Sequence, residues 1–317
     1  MTAARTLTST RLRLTAHPAG AYAILLAGVF CISFTAIFTK WAAMPGPVAA
    51  AYRMTIATIA LTIPFLWQAQ RRGSLFPRGS RWGVLGGLSF GMNLGLLNSA
   101  LLLTSAATAT LLDNTAPIWV GIGAMIFFGE RLRWRYWAGL GLALTGAAVV
   151  TGFNPTAGFH LNPGDALALI GAVFYAAYLL VTQRGRMQLD TLSYLWLVAA
   201  TAAVALFIAS IALGLPLTGY STRSYLSIIA VGLISQTGGW LLINYALGHV
   251  SASMAVVVLL TQPVITGLLS IPLLGEMLTV RQVAGGALEL SGIYLCLRRT
   301  TDEGRQTTDD GRQTVDG

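Results

Sequence analysis

The stretch TATLLDNTAPIWVGIGAMIFF, from Thr108 to Phe128, places a carboxylate, an amide and a proline near the start of a long apolar run. Proline has no amide hydrogen, so a helix that passes through Pro117 leaves the carbonyl of Asp113 without its usual partner. Inside a bilayer such a carbonyl needs another donor or a water-filled cavity. We therefore predict that Asp113 and Asn114 line a central cavity and that Pro117 is a hinge; a kink that serves only helix packing is the alternative.

Two further charged residues interrupt apolar segments. Arg53 and Asp113 each lie roughly 9–10 Å from the same membrane face, counted at the helical rise of about 1.5 Å per residue. A charge buried alone costs about 2.5–3.5 kcal/mol on insertion scales, so the two side chains either pair or line separate walls of one vestibule. Glu289, at mid-depth in the last apolar segment, is a candidate proton relay. Its small neighbours Gly285 and Ser291 favour instead a structural role or an oligomer interface.

Amide and aromatic side chains supply most of the remaining polar and stacking groups. Amides inside a helix bundle hydrogen-bond either to neighbours or to substrate. A cavity of amides and aromatic rings with few fixed charges suits zwitterionic or amphipathic small molecules. Lys40, the single lysine, either meets a substrate carboxylate at the outer mouth or anchors at headgroups. Besides Asp113 and Asn114, the candidate cavity residues are Phe34, Asn93, Asn98, Trp119, Tyr175, Tyr178, Gln236, Trp240, Asn244 and Gln262.

Motifs of soluble catalysis are missing from the sequence. It contains no glycine-rich phosphate loop, no zinc-spaced His/Cys set and no nucleophile elbow. The histidines, His17, His160 and His249, fall in predicted loops or termini, and Cys31 and Cys296 lie in apolar segments. We expect no cofactor, no metal and no enzymatic activity. We also expect no nucleic-acid partner, because the basic residues occupy short gaps between apolar segments.

The composition indicates an all-α integral membrane protein. Of 317 residues, 55% are hydrophobic and only 10% are charged, against about 25% charged in soluble domains. A helix that crosses a bilayer needs about 20 apolar residues. We predict ten transmembrane helices, at 20–41, 47–68, 82–103, 106–128, 134–152, 163–183, 191–215, 224–246, 251–274 and 281–298.

The distribution of positive charge predicts the orientation, because Lys and Arg stay on the cytoplasmic side. With the N-terminus inside, 16 of the 20 basic residues fall in inner gaps and 3 in outer gaps, with Arg53 inside a segment. This predicts an N-in, C-in, multi-pass protein of the bacterial inner membrane. Residues 1–19 form a basic cytoplasmic N-terminus. Residues 299–317, which repeat TDEGRQT as TDDGRQT without apolar content, are predicted to be a disordered cytoplasmic tail.

The chain contains one five-helix pattern twice. At an offset of 146 residues, APIWVGIGAMIFFGERLRWRYWAGLGLALTG aligns with QPVITGLLSIPLLGEMLTVRQVAGGALELSG, so that Pro117 meets Pro263. Because five is odd, the second copy enters the membrane from the opposite side. Inverted repeats of this kind are typical of secondary transporters, whose substrate site lies between the halves. We assign the repeats to 20–152 and 163–298 and predict that Pro263 is the second hinge.

These repeated motifs resemble the EamA-type exporters of the drug/metabolite transporter superfamily. The resemblance covers residues 20–298 and, in general similarity, is greatest to the YddG-type aromatic amino acid exporters. It implies a secondary transporter that exports small organic metabolites, aromatic amino acids foremost, by alternating access through a central cavity. The matching positions are Pro117, Gly129-Glu130 and Ala138-Gly139-Leu140 in the first half, and Pro263, Gly275-Glu276 and Gln282-Val283-Ala284-Gly285 in the second.

Other functions stay open at this stage. A non-transporting membrane protein, a channel or a scramblase is one alternative, although a channel favours a charged ring or a continuous polar stripe that the sequence lacks. A proton-coupled drug exporter of the same superfamily is another, with Asp113 or Glu289 as the proton carrier. The expected partners are the lipid bilayer and a small zwitterionic or amphipathic substrate.

Overall fold

A computed structural model describes residues 18–151, 162–275 and 277–313, and these residues form helices and turns without a strand. His17, His160, Glu276 and nearly all of the basic N-terminus lie outside the described residues. A π-helical segment, Val231–Gly239, joins α9 to α10. The helices are α1 (Pro18–Ala42), α2 (Gly46–Arg72), α3 (Ser80–Ala100), α4 (Ala106–Asp113), α5 (Ala116–Phe128), α6 (Trp134–Thr151), α7 (Pro163–Arg186), α8 (Thr191–Ala212), α9 (Thr222–Ala230), α10 (Trp240–Ala246), α11 (Ala252–Leu259), α12 (Gln262–Leu274) and α13 (Val280–Gln313).

The all-helical, membrane-compatible fold that the composition predicts is confirmed. Within the described residues, seven helical stretches are long and apolar enough to cross a membrane. The ten-helix count and the N-in, C-in orientation stay predictions. α13 continues to Gln313 and so extends into the segment 299–317, for which the composition predicts disorder. The seven stretches are Gly20–Ala42, Gly46–Arg72, Thr108–Phe128, Pro163–Arg186, Thr191–Ala212, Thr222–Ala246 and Ala252–Leu274.

The fourth apolar segment is two helices, where the sequence predicts one kinked helix. α4 ends at Asp113, and α5 begins at Ala116 with Pro117 in its first turn. Proline is favoured there because the first turn of a helix has no internal partner for its amide. Thr115, between the helices, donates its hydroxyl to the carbonyl of Leu112 at 2.6 Å. The break therefore exposes polar groups at one point of an otherwise apolar segment.

The ninth apolar segment is interrupted in the same way. α11 ends at Leu259, and α12 begins at Gln262 with Pro263 in its first turn. Thr261 donates its hydroxyl to the carbonyl of Val258 at 2.8 Å. These positions lie 146 residues after those of the first break, so the repeat seen in the sequence is also a repeat of backbone geometry.

Two polar contacts define one end of the bundle, which we call the basic end. Arg72, at the end of α2, binds Asp190 beside α8 at 2.5 Å. Arg186, at the end of α7, donates to the carbonyl of Asn244 in α10 at 3.0 Å. We call the opposite end, where α1 is followed by α2 and where α7 begins, the far end.

The last helices of the two repeats, α6 and α13, pack so closely that glycine is required between them. A Cβ atom at Gly146 would lie 2.3 Å from the backbone nitrogen of Glu289, and one at Gly292 would lie 2.4 Å from the nitrogen of Ala143. Glu289 is fully buried within the chain, and neither of its carboxylate oxygens has a hydrogen-bond partner among the described residues. Its side chain is therefore enclosed by the chain itself, and its structural, oligomer-interface and proton-relay roles stay predictions.

Gly146→Val is expected to lower the thermal unfolding midpoint of the purified protein. The added side chain would meet backbone atoms, which cannot move aside as a flexible side chain can, and overpacking of this kind costs about 1–3 kcal/mol. The matched control is Gly141→Val on the same helix, where an added Cβ meets nothing within 4 Å. Equal midpoint shifts in the two variants would contradict the close packing of α6 on α13.

Candidate functional site

A cavity of about 150 Å³ lies between the two halves of the chain. Helices α1 to α5 contribute from the first half, and α7, α10, α11 and α12 contribute from the second. The cavity brings together eight residues that the sequence analysis singled out. These are Arg53, Asn93, Asp113, Asn114, Pro117, Tyr175, Trp240 and Gln262.

The carboxylate of Asp113 is held in place by Asn93. The Asn93 side-chain amide, only 2% exposed, donates to Asp113 Oδ1 at 2.9 Å and to the carbonyl of Gly171 at 3.1 Å. The other carboxylate oxygen accepts no hydrogen bond in the described part of the chain. Asp113 is therefore an oriented carboxyl group at the end of α4, with one oxygen still available to a donor.

Arg53 lies on another wall of the same cavity. Among the described residues it forms no ion pair with Asp113, and its buried Nε has no hydrogen-bond partner. A buried charge is costly unless it is paired and hydrogen-bonded. Of the two arrangements that the sequence left open, the structure shows separate walls, and an anionic group in the cavity would satisfy the guanidinium.

An aromatic floor, formed by Phe90, Tyr175 and Trp240, lines the side of the cavity nearer the basic end. The ring centroids of Phe90 and Tyr178 are 4.5 Å apart, and those of Phe90 and Trp240 are 4.8 Å apart. Tyr178 is fully buried and lies below the floor's surface, where its hydroxyl accepts from the amide of Asn244 at 3.2 Å. Such a floor offers apolar and stacking contact to a ligand above it.

Sequence reasoning missed Phe90, although a signal was present. Phe90 precedes Asn93 by three residues on α3, and residues three apart share a helix face. Thr35 on α1 also lines the cavity and was missed. Its single hydroxyl in an apolar helix gave no comparable pattern.

Several predicted cavity residues lie elsewhere. Asn98 donates to the carbonyl of Leu94 in its own helix at 2.6 Å, and Trp119 is 39% exposed on the outside of α5. Lys40 is exposed near the end of α1 at the far end. The predicted residues that do not line the cavity are Phe34, Asn98, Trp119, Tyr178, Gln236 and Asn244, together with Pro263, Glu289 and Lys40.

The two halves contact each other at both ends of the bundle, but the short helices α4 and α11 pack differently. Near the basic end, α11 packs against α5 and α7. In the repeat, α4 corresponds to α11 and α12 corresponds to α5, so a matching closure at the far end would join α4 to α12. Over the ranges that the structure describes, that contact is at most slight. The contact of α11 with α5 therefore closes the cavity toward the basic end, whereas α4 at the far end packs on α7 and, within the described residues, scarcely touches α12.

Known proteins resemble this chain both in sequence and in fold. The profile of the EamA-like transporter family matches residues 19–152 and again 162–298. A probable terminal-alkyne amino-acid exporter of Streptantibioticus cattleyicolor is 28% identical over 266 residues, which are 80% of this chain and 84% of that protein. An uncharacterized transporter of Archaeoglobus fulgidus is 32% identical over 210 residues, 64% of this chain and 72% of that protein. A protein of known crystal structure, 22% identical, superposes with a TM-score of 0.72 over 88% of this chain and 96% of that chain.

Proposed function

The chain belongs to the EamA-like transporter family of the drug/metabolite transporter superfamily, and on that premise we propose that it exports amino acids, aromatic ones foremost. The observation that carries the proposal is a single cavity with a guanidinium, a carboxylate and an aromatic floor on different walls. These three features match the three parts of an amino acid: its carboxylate, its ammonium and its side chain.

In the proposed complex each charge of the zwitterion meets a fixed partner. The planar guanidinium of Arg53 suits a carboxylate, to which it can donate two parallel hydrogen bonds. The substrate ammonium binds the free oxygen of Asp113, whose orientation Asn93 maintains. The substrate side chain packs on the rings of Phe90 and Trp240. Each interaction satisfies a group that the protein alone leaves without a partner or exposed to the cavity.

The size of the cavity favours a small metabolite over a large drug. Pockets for drug-sized ligands have volumes of about 300–1,000 Å³, whereas this cavity measures about 150 Å³. The relative from Streptantibioticus cattleyicolor, named as a probable exporter of a terminal-alkyne amino acid, supports the same substrate class.

The transport cycle that we propose is alternating access in the bacterial inner membrane. Ten crossings with both termini inside would place the arginine-rich basic end in the cytoplasm. The cavity then opens to the outside, and the bundle closes it from the cytoplasm. The matched breaks at 114–115 and 260–261 are the proposed hinges, since each lets a short helix move relative to the rest of its segment.

Proton-coupled export is the second candidate. The observation that favours it is Glu289, a carboxyl group fully buried without a hydrogen-bond partner among the described residues. Intramembrane carboxyl groups are common in proton relays. Coupling of this kind predicts that a pH gradient drives net transport and that Glu289→Gln abolishes that drive.

Counterflow in proteoliposomes tests the proposed function. Vesicles loaded with unlabelled amino acid are expected to accumulate labelled phenylalanine and tryptophan saturably without any ion gradient, and leucine and threonine less. Protein-free vesicles are the control. Equal, non-saturable fluxes of all four compounds would indicate a channel, and accumulation that needs a pH gradient would favour the proton-coupled candidate.

Asn93→Ala is expected to raise the half-saturating substrate concentration about 2- to 10-fold, the range that a net hydrogen-bond contribution of about 0.5–1.5 kcal/mol allows. The reason is that Asp113 loses the donor that orients it. The maximal flux should change less, because the variant retains both charges. The control is Asn98→Ala on the same helix, outside the cavity, where less than a twofold change is expected. Equal effects of the two substitutions would contradict the positioning role of Asn93.

A further inference from the structure

The closed basic end of the bundle contains a second cavity, of about 330 Å³. It is separate from the central cavity and shares no lining residue with it. Its walls combine polar and apolar groups, among them Phe128, Glu130, Gln183, Met187, His249 and Ser251. α7 lines both cavities, and α11 extends from its N-cap Ser251 at the second cavity to Val256 at the central one and beyond, so the two cavities lie at different levels of the bundle.

A polar bridge crosses between the two halves of the chain beside this cavity. Glu130, which follows α5 in the first half, accepts a hydrogen bond from the hydroxyl of Ser253 on α11 in the second half. The side chain of Gln183 accepts from the backbone nitrogen of Ala252 at 2.8 Å and lies close enough to Glu130 to stabilise its charged form. Tyr136 donates to the carbonyl of Ser253 at 3.3 Å. These bonds fix the first turn of α11 against the first half.

The bridge stands between the two cavities. On α11, Val256 lines the central cavity, and Ser251, just before the helix, lines the second one. Ser253 lies between them in the chain. On α7, Tyr175 and Gln183 flank the fully buried Tyr178 in the same way. The bridge therefore lies at the side of the second cavity that faces the central one.

We propose that the hydrogen bond of Glu130 with Ser253, supported by the neighbouring Gln183, is the gate between the second cavity and the central site, and that the second cavity is the entry vestibule of the transport path. When this bond breaks, α11 can leave α5 and the two cavities join. This inference rests on the proposed alternating-access function and adds the residues that close one end of the path.

The internal repeat favours a contact that opens and closes, rather than permanent packing, at the basic end. α11 is a short helix, limited by the break at 260–261 and by the turn before Ser251, so it can move as a unit. Its counterpart α4, at the far end, has the same length and makes at most slight contact with α12 in the described part of the structure. At the basic end α11 thus packs on α5, whereas at the far end α4 packs on α7 and, within the described residues, leaves α12, the counterpart of α5, almost without contact. These are the two arrangements expected of one movable element.

The surroundings of Glu130 suit a contact that forms and breaks. The residue is half-buried, and burial raises the pKa of its carboxyl above the ordinary value, while the hydrogen bonds from Ser253 and Gln183 oppose that shift. A carboxylate that accepts such bonds is well satisfied in the closed state. In the open state it would face the water of the vestibule, which also donates hydrogen bonds to it. The carboxylate therefore has hydrogen-bond partners in both states.

Side-specific labelling of one cysteine in the central cavity tests the gate. The reporter is Thr35→Cys in a background in which Cys31 and Cys296 are alanine. A membrane-impermeant thiol reagent is applied to either face of oriented proteoliposomes. With the gate intact, labelling from the far side is expected to be at least about 10-fold faster than from the basic side, as one dominant conformation requires. Glu130→Ala and Ser253→Ala are each expected to reduce that ratio at least about 5-fold by shifting the population.

The matched control is Asp190→Asn, which removes a different carboxylate at the basic end and keeps a residue suited to its helix cap. It should leave the labelling ratio unchanged. An unchanged ratio in both Glu130→Ala and Ser253→Ala, or an equal fall in Asp190→Asn, would overturn the proposal. Labelling needs no substrate, so a gate established in this way would stand even if counterflow found no amino-acid exchange.

Discussion

Arg53→Gln is expected to raise the half-saturating concentration for amino-acid counterflow about 10- to 100-fold, because a hydrogen bond to a charged group contributes about 1.5–3 kcal/mol. In the proposed complex the guanidinium is the only cation that meets the substrate carboxylate. Its Nε has no hydrogen-bond partner in the described residues, so removing it breaks no internal contact of that atom. The variant should therefore remain folded, and its unfolding midpoint should not fall.

Two comparisons separate loss of recognition from general damage to the protein. Arg53→Lys keeps the charge but loses the planar fork, so its half-saturating concentration should lie between those of the parent and Arg53→Gln. Phenylalaninamide, which lacks the carboxylate, is used as a competitor of labelled phenylalanine. Its inhibition constant should be the same in the parent and in Arg53→Gln. If Arg53→Gln weakened the binding of phenylalaninamide as strongly as the binding of phenylalanine, Arg53 would not be the partner of the carboxylate.

Asp113→Asn is also expected to raise the half-saturating concentration about 10- to 100-fold, because it too removes a hydrogen bond to a charged group. The substitution is nearly isosteric. Its amide oxygen can still accept the hydrogen bond that Asn93 donates at 2.9 Å, so the local geometry should persist. What disappears is the negative charge that balances the substrate ammonium. The measurement is concentration-dependent counterflow of phenylalanine.

The control for Asp113→Asn is Glu289→Gln, which neutralises a carboxylate outside the cavity. It should leave counterflow without a gradient unchanged. N-acetylphenylalanine, which lacks the ammonium, is used as a competitor of labelled phenylalanine. Its inhibition constant should be the same in the parent and in Asp113→Asn. Equal losses in Asp113→Asn and Glu289→Gln would assign both carboxylates to proton coupling and contradict the ammonium site.

The polar stretch in the fourth segment was predictable because its signals are local. Proline and adjacent polar side chains inside an apolar run mark a backbone break wherever the chain folds. The structure places Asp113, Asn114 and Pro117 at one cavity, and their role in substrate binding stays a proposal. The hydroxyls of Thr115 and Thr261, which satisfy the carbonyls at the two breaks, were not singled out. Threonine is unremarkable in an apolar helix until the break itself is known.

The direction in which a helix faces was harder to predict. A soluble helix shows its buried face by the contrast between apolar and polar residues, but these helices are apolar on all sides. Asn98 follows Asn93 by five residues, which rotates it about 140° around α3 at 3.6 residues per turn. Only Asn93 lines the cavity. Residue type therefore indicates a polar site, and rotation around the helix decides which residue belongs to it.

The repeat in the sequence predicts two equivalent halves, and the structure shows where they differ. The first break contributes Asp113 and Asn114 to the cavity, and the second contributes Leu259, Leu260 and Gln262. The same 146-residue offset relates these positions, so the charge of the site comes from one half. Which end of the bundle is closed is not encoded in such a pattern, since both ends derive from one motif and differ only in the packing of α4 and α11.

Competition by analogues of phenylalanine in counterflow tests the central claim most directly. The purified protein is given labelled phenylalanine with unlabelled phenylalanine, phenylalaninamide, N-acetylphenylalanine or phenethylamine as competitor. Recognition of both charges predicts that phenylalanine competes best and that each analogue lacking one charge is at least about 10-fold weaker. Competition by the amide and the N-acetyl compound as strong as that of phenylalanine would contradict a site built on Arg53 and Asp113.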